Sequence, residues 1–280
     1  MADFLLTHEA NLRVYALLLG SLVLLWESGL PAKLLLDPIL LRWPRNLLLF
    51  VFDLLLIRFV LPLTTVGLAV ILASQGWGAF HAVVIPAWMK FVLGLLALDV
   101  TAYALHVVLH RIPWLWRIHA VHHSDKDFDC TTGLRFHPFE ALLAIAARLT
   151  VIAVLGIPVA AIIAFEVWAT LAAFYTHANV KIPAWLDVCS RQILITPQLH
   201  RVHHSALRQD GMQNYGVIFT FWDRLFRTYQ WRSAEQSIAA TTGLTWFNAR
   251  KSFGIGRLIA LPFNAAPFAA DAEAPDESRK

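Results

Sequence analysis

Eight of the chain's twelve histidines fall into three tight clusters: His106-x3-His110, His119-x2-His122-His123 and His200-x2-His203-His204. A neutral imidazole offers a nitrogen lone pair to transition metals, so histidines clustered at helical spacing point first to metal chemistry. At about 100° per residue, His106 and His110 share one helical stripe with Asp99 and Tyr103, all four within roughly 60°. In a helical His-x2-His-His triplet the second and third rings stand about 60° and 40° to either side of the first, so each triplet presents a fan of imidazoles. Two fans and a stripe offer more ligands than one zinc ion uses, since zinc sites close at four; two metal ions are the natural count. Carboxylates are scarce beside the clusters, unlike soluble di-iron bundles built from Glu and Glu-x-x-His. An all-nitrogen ligand set suits iron, zinc or copper. Ligating imidazoles need an acceptor for their other N–H, and Asp99, Glu140 and Asp223 are the acidic residues best placed to supply one. His8 and His81 stand alone and are expected at the opposite side of the molecule.

The elements that must position these rings are membrane helices. With 58% hydrophobic and 15% charged residues and a mean hydropathy of +0.58, the chain is too apolar for a soluble domain. Segments of about 12–30, 46–73 and 83–109 are each long enough to cross about 30 Å of hydrocarbon. A further apolar stretch, 139–176, is interrupted at Gly156-Ile157-Pro158 and reads as a hairpin of two helices. The expected fold is all-α: a polytopic membrane helical bundle, three clear spans plus a helical hairpin, with a cytoplasmic helical cap holding a histidine-rich di-metal site. Residues 1–265 are expected to form a single membrane-embedded domain, with 249–263 lying in the interface and 266–280 a disordered tail.

Orientation follows from basic residues in short loops. Lys33, Arg42 and Arg45 lie between the first two spans, and Arg111, Arg117, Lys126 and Arg135 follow the third. The hairpin returns the chain to the side carrying Lys181, Arg191, Arg201, Arg208, Arg224 and Arg227, which places every candidate ligand on the cytoplasmic side. The net charge of +4 sits beside apolar segments, so it reads as helix flanks and not as a nucleic-acid surface. Cys130 and Cys189, far apart in sequence, imply neither a disulfide nor a cysteine metal site. The start, MADFLLTHEANLR, lacks the pattern of a cleaved signal peptide, so the first helix is expected to be retained. Arg148 and Glu166 are each nine residues from Ile157, at equal depth in the hairpin, and a structural ion pair between them is predicted. Asp53 and Arg58 in the second span have no evident partners in the sequence.

With their neighbours, these clusters make a wider pattern: Asp99-x3-Tyr103-x2-His106-x3-His110, RIPWLWRIHAVHHSD (111–125), TGLRFHPFE (132–140), FYTHANV (174–180), TPQLHRVHHS (196–205), NYG (214–216) and WDRLF (222–226). In order and spacing, over about residues 90–230, the chain resembles the fatty acid hydroxylase and sterol desaturase superfamily of integral membrane di-iron oxygenases. The resemblance implies that His106, His110, His119, His122, His123, His200, His203 and His204 ligate the metals, with His177 as an additional ligand. It implies for His137 either a further ligand or a residue backing the ligands, the role it also implies for Asp99, Tyr103, Glu140, Asn179, Asn214 and Asp223. Trp116, Phe136, Phe174 and Tyr175 are expected to line an apolar substrate channel. The chain departs from the pattern at Arg227, where relatives commonly follow WDRLF with glycine.

The implied cofactors are two Fe ions, replaceable by zinc on isolation, with O2 and an external electron donor. No haem-attachment motif is present, so electrons are expected from a separate cytochrome b5-, ferredoxin- or rubredoxin-like protein or from a reduced pterin. The implied activity is hydroxylation or desaturation of a membrane lipid, fatty acyl or sterol-like. An ether-lipid monooxygenase using reduced pterin is one alternative. A membrane zinc hydrolase or transporter and a scaffold without turnover are others, although a transporter should carry its ligands at mid-bilayer depth.

Overall fold

The structure, a computed structural model, describes residues 2–61, 63–247, 254–264 and 268, with side chains from residue 11 onward. It is helical, with no strand among the described residues. The helices are α1 (Ala2–Gly29), α2 (Ile39–Val60), α3 (Thr65–Ser74), α4 (Ala79–Ala82), α5 (Ala87–Arg111), α6 (Pro113–His123), α7 (Pro138–Leu155) and α8 (Val159–Thr176). Short helices follow: α9 (Ala184–Ser190), α10 (Pro197–His203), α11 (Arg208–Gly211), α12 (Phe221–Leu225), α13 (Ala234–Ala239) and α14 (Ile255–Ala260). Prolines mark many of the starts: Pro113, Pro138 and Pro197 open their helices, and Pro38, Pro86, Pro158 and Pro183 stand just before theirs. Their fixed φ suits a helix entry, and the missing N–H has no intrahelical partner there anyway.

Five stretches are long and apolar enough to cross a membrane: Asn11–Gly29, Ile39–Ala82, Ala87–Arg111, Pro138–Leu155 and Val159–Thr176. Large apolar side chains point outward along them, including Leu25 at 71%, Leu55 at 65% and Phe59 at 88% exposure. Only a lipid surround makes such exposure favourable, and the chain is an integral membrane protein. The hairpin forms as expected. Its turn residue Gly156 has φ +67, and an added Cβ there would sit 2.5 Å from the Trp77 carbonyl oxygen, so glycine is required twice over. Gly78 packs directly on Gly156, and His81 lies beside the same turn. That contact fixes the end of the bundle opposite the three histidine clusters.

Three expectations are corrected. The stretch expected as one span, 46–73, is two helices, α2 and α3, separated by a break after Val60. Helix α2 starts seven residues earlier than its apolar run because Arg42, Arg45, Asn46, Leu49 and Asp53 form a buried stripe along it. Arg42 and Arg45 are therefore interior residues, not loop charges. The Arg148–Glu166 pair also does not form. Glu166 Oε2 accepts from Arg13 of α1 (2.6 and 3.0 Å) and Oε1 from Thr65 (2.6 Å), while Arg148 Nε donates to the Ala144 carbonyl. Counting residues from the turn fixes height but not direction: α7 and α8 pack on α5 and α3, and α8 on α1, more than on each other. The interfacial segment falls partly, and the expected tail almost wholly, outside the described residues; Phe268 is buried against Trp246.

Candidate metal centre

Nine buried histidines converge at one end of the bundle, where the last turn of α5, the end of α6, the end of α8 and α10 meet. Their ligand atoms fall into two groups, within each of which all atoms lie within 4.8 Å of one another. His106, His110, His119, His123 and His203 form one; His122, His177, His200 and His204 form the other. Helical arithmetic explains the division. Residues i and i+4 stand about 40° apart and i+3 turns to the other side, so His119 with His123 face the first group while His122 faces the second. In the other triplet His200 with His204 face the second group and His203 the first. The pair His106 and His110, again i and i+4, completes the first group.

The far nitrogen of several rings is held by an acceptor, which fixes the tautomer. His106 Nδ1 donates to the Tyr215 carbonyl (2.8 Å), His119 Nδ1 to Glu140 Oε1 (2.7 Å) and His203 Nδ1 to the Gln213 carbonyl (2.7 Å). In the second group His122 Nδ1 donates to the Arg135 carbonyl (3.2 Å) and His177 Nδ1 to the Ala173 carbonyl (2.8 Å). Each of these rings therefore turns an Nε2 lone pair inward. In the first group all five Nε2 atoms are buried without a hydrogen-bond partner. In the second, His177 Nε2 stands 3.2 Å from His122 Nε2 and 2.9 Å from His200 Nε2, with His204 and His200 at 3.2 Å. Protonating a ring would relieve the facing lone pairs, but burial and neighbouring imidazoles push His122, His123, His200 and His204 well below the ordinary histidine range, His177 to about 4 and His203 to about 3. A cation satisfies both groups. Two nitrogens bound about 2.0–2.1 Å from one ion stand roughly 3.0–3.4 Å apart, close to the separations seen.

Of the residues expected to back the ligands, Glu140 does so directly. Asp223 acts one step removed, accepting from the Tyr215 and Gly216 amides (2.8 Å each) and from Thr228 Oγ1 (2.7 Å), so it fixes the turn whose carbonyl holds His106. Tyr103 and Asn214 brace the same turn through Thr228 Oγ1 and the Leu199 and Gln230 carbonyls. Asp99 is a correction: it is buried on the expected stripe, but its carboxylate accepts from Trp222 Nε1 (2.8 Å) and the Ile218 amide (3.3 Å), not from an imidazole. Asn179 joins the α1–α2 connection to α10, bonding Lys33 and Arg201. His137 belongs to neither group. Its Nδ1 caps α7 by accepting from the Phe139 amide, and its Nε2 donates to the Ile259 carbonyl, so both nitrogens are engaged.

The four aromatic residues expected in a channel divide. Phe136 stacks on His122 at 4.8 Å, and Trp116 lies 5.0 Å from His110 and 5.4 Å from His123. Phe174 instead lies over Gly20 of α1, and Tyr175 packs near Val23 in the cluster of Ala178, Val180 and Ile182. Several contributors escaped the sequence reading. Phe128 walls the second group, 5.2 Å from His204, and the Tyr215 ring packs on His106, His110 and His203. A Cβ on Gly133 would fall 2.9 Å from His177 Nδ1. Arg42 pairs with Asp125 (2.9 Å) and Asp129, and Arg135 Nε donates to the Val121 carbonyl (2.8 Å), which together clamp the 124–135 segment under the rings. Gly133, Arg135 and Asp125 stood inside the quoted motifs, but carbonyl acceptors leave no signature in side-chain identity.

Fold and site together define a multi-pass membrane protein with a paired imidazole centre at one end of its bundle. The sequence profile of the fatty acid hydroxylase family matches residues 91–228, a range that holds all nine rings, and over it the chain belongs to that family. The chain is similar to the ornithine lipid hydroxylase OlsE of Rhizobium tropici, 34% identical over 146 residues, which are 51% of this chain and 43% of that protein. It is also similar to the alkylglycerol monooxygenase of Danio rerio, 31% identical over 182 residues (60% of this chain, 36% of that protein), and to that of Homo sapiens, 29% over 150 residues (51% and 30%). The chain thus covers less than half the length of these curated relatives. No solved structure matches the chain.

Proposed function

We propose that the protein is an O2-dependent di-iron oxygenase that hydroxylates a C–H bond of a membrane lipid, with its metal centre on the cytoplasmic side. The observation that carries this reading is the division of nine buried imidazoles into two groups with inward-facing nitrogens. Two irons bound there would supply O2 activation and hydrogen abstraction from an unactivated carbon. The overall change balances as lipid C–H, O2, two electrons and two protons giving C–OH and water. The chain's own residues hold the ligand tautomers through Glu140 and the carbonyls of Tyr215, Gln213, Arg135 and Ala173. Trp116, Phe136 and Phe128 surround the rings with apolar surface that excludes water.

Electrons come from a separate cytochrome b5-, ferredoxin- or rubredoxin-like protein or from a reduced pterin. Hydroxylation is preferred to desaturation because the relatives are named hydroxylase and monooxygenase. Similarity to alkylglycerol monooxygenases supports a second reading, oxygenation of an ether lipid. The cytoplasmic assignment rests on Lys33, Arg117, Lys126 and Lys181, which lie at the same end as the rings. The test is elemental analysis of the purified protein together with lipid analysis of a host expressing it under labelled O2. About two irons per chain and a labelled lipid absent from a His122→Ala host are expected. Stoichiometric zinc with O2-independent turnover would overturn the reading.

A further inference from the structure

A cavity of about 390 Å³ opens on the outer side of Phe128, away from the imidazoles, between the connection after α1 and residues 241–245. Three cationic side chains line it, Lys33, Lys126 and Arg201, against one carboxylate, Asp127. That carboxylate is already engaged: Oδ1 accepts from the Leu36 amide (2.7 Å) and Oδ2 from the Asp37 amide (2.8 Å), with Arg42 3.7 Å away. The cations are less committed. Lys33 Nζ donates one hydrogen bond, to the Ala240 carbonyl (3.1 Å), out of three available. The buried Arg201 guanidinium lies 4.4 Å over the Phe128 ring and gives one bond to Asn179 Oδ1, out of five N–H donors. The lining carries three cations to one anion, and Lys33 and Arg201 keep unused donors, although Glu27 and Asp129 outside the lining also attract Arg201; an oxyanion is the complement.

We propose that this recess is a binding site for a phosphate-class oxyanion, held by Lys33, Lys126 and Arg201. Two sources share that chemistry, the headgroup of an anionic lipid and a soluble phosphate. The surroundings are those of a membrane surface: Leu34 is 84% and Leu36 62% exposed on the same connection, and Leu40 85% at the start of α2, apolar residues suited to lipid beside a cationic recess. Phe128 forms the shared wall between the recess and the rings of His177, His200 and His204. The site lies directly behind the second imidazole group and is independent of the reaction assigned to it.

The full chain in neutral detergent is titrated separately with phosphatidylglycerol, phosphatidylcholine and inorganic phosphate, with the thermal unfolding midpoint as readout. Phosphatidylglycerol or phosphate, but not phosphatidylcholine, is expected to raise the midpoint saturably; whichever does so at lower concentration is the source. The double variant Lys33→Gln, Lys126→Gln should weaken that response roughly tenfold or more, since each cation near an anionic surface contributes about 1 kcal/mol. Lys33→Arg with Lys126→Arg should keep it, which separates lost charge from lost fold. Lys181→Gln, a cation removed elsewhere on the same end, should leave it unchanged. An equal response to phosphatidylcholine, no saturable response to either anion, or an equal loss in Lys181→Gln overturns the proposal.

Discussion

The two imidazole groups share α6 and α10, with α5 completing one and the end of α8 the other, and they are supported differently. In the five-ring group a carboxylate, Glu140, holds one ring, and the Tyr215 and Gln213 carbonyls, on a turn braced by Asp223, Tyr103 and Asn214, hold two others. In the four-ring group the rings are held by the Arg135 and Ala173 carbonyls, with the Thr176 hydroxyl 3.2 Å from His177 Nδ1, and are walled by Phe128 and Phe136. A carboxylate acceptor raises the basicity of the ring it holds more than a carbonyl does. The lesson is that near-equivalent ligand sets can sit in unequal fields, so their ions are expected to differ in affinity.

The strongest way to break that comparison is to remove one ring from each side. His119→Ala and His200→Ala should each lower bound iron from two ions toward one per chain, and hydroxylation should fall by more than about a hundredfold, since even outer partners of ligands are worth 10–100-fold. If either variant loses both ions, the groups are one cooperative unit and the contrast fails. Arg42→Ala removes the nearest cation from buried Asp129 and from Asp125, which keeps only Arg135 at 3.9 Å and Arg45 at 4.0 Å, at a cost of about 3 kcal/mol. Because that network clamps the segment bearing Phe128 and Arg135, metal loss should begin in the four-ring group, as read by unfolding midpoint and stepwise chelation.

Glu140→Gln tests the carboxylate itself. Metal affinity of the five-ring group should fall by about 10–100-fold while the other ion stays in place. Acid should then act on both groups in the metal-free protein. His177 and His203 titrate near 4 and 3 when folded, below their unfolded value of about 6.5. As pH falls below that value the unfolded chain takes up protons first, so stability is intact above it and is lost downward until each folded pKa is reached. The slope is about 1.4 kcal/mol per pH unit for each histidine, with the His203 contribution running about one unit lower. A metal-free midpoint that does not move between about pH 6.5 and 4 would contradict the burial of these rings.

Much of this was legible in the sequence because metal ligands must be specific side chains at helical spacing. The eight clustered histidines and His177 all reach the centre, and the fan geometry of each triplet contained the division between groups, since i and i+4 share a face that i+3 leaves. What was not legible depends on direction and on the backbone. Residue counting gave the depth of Glu166 but not its turn toward Arg13. Arg42 and Arg45 read as loop charges because Asp125, in the acidic segment that buries them, lies 83 and 80 residues away. Asp99 lay on the right stripe, but the 218–222 segment reaches it before any ring does.

The departure at Arg227 has a physical meaning in the structure, and it supplies the smallest effect. Arg227 has φ +60, a left-handed conformation that glycine adopts freely and a residue with a Cβ adopts at a cost of about 1–2 kcal/mol. Its side chain is exposed, and the next residue, Thr228, returns to Asp223 and Tyr103 through its backbone and hydroxyl. Arg227→Gly should therefore stabilise the fold by about 1 kcal/mol, with part of the gain offset by the greater freedom of glycine in the unfolded chain. Because this turn holds His106 and His203 directly and touches the other group only through Asn214 on the Leu199 carbonyl of α10, the gain should appear chiefly as slower metal loss from the five-ring group. Equal slowing of metal loss from both groups would show that the turn braces the whole centre and that the two groups are less independent than their ligands suggest.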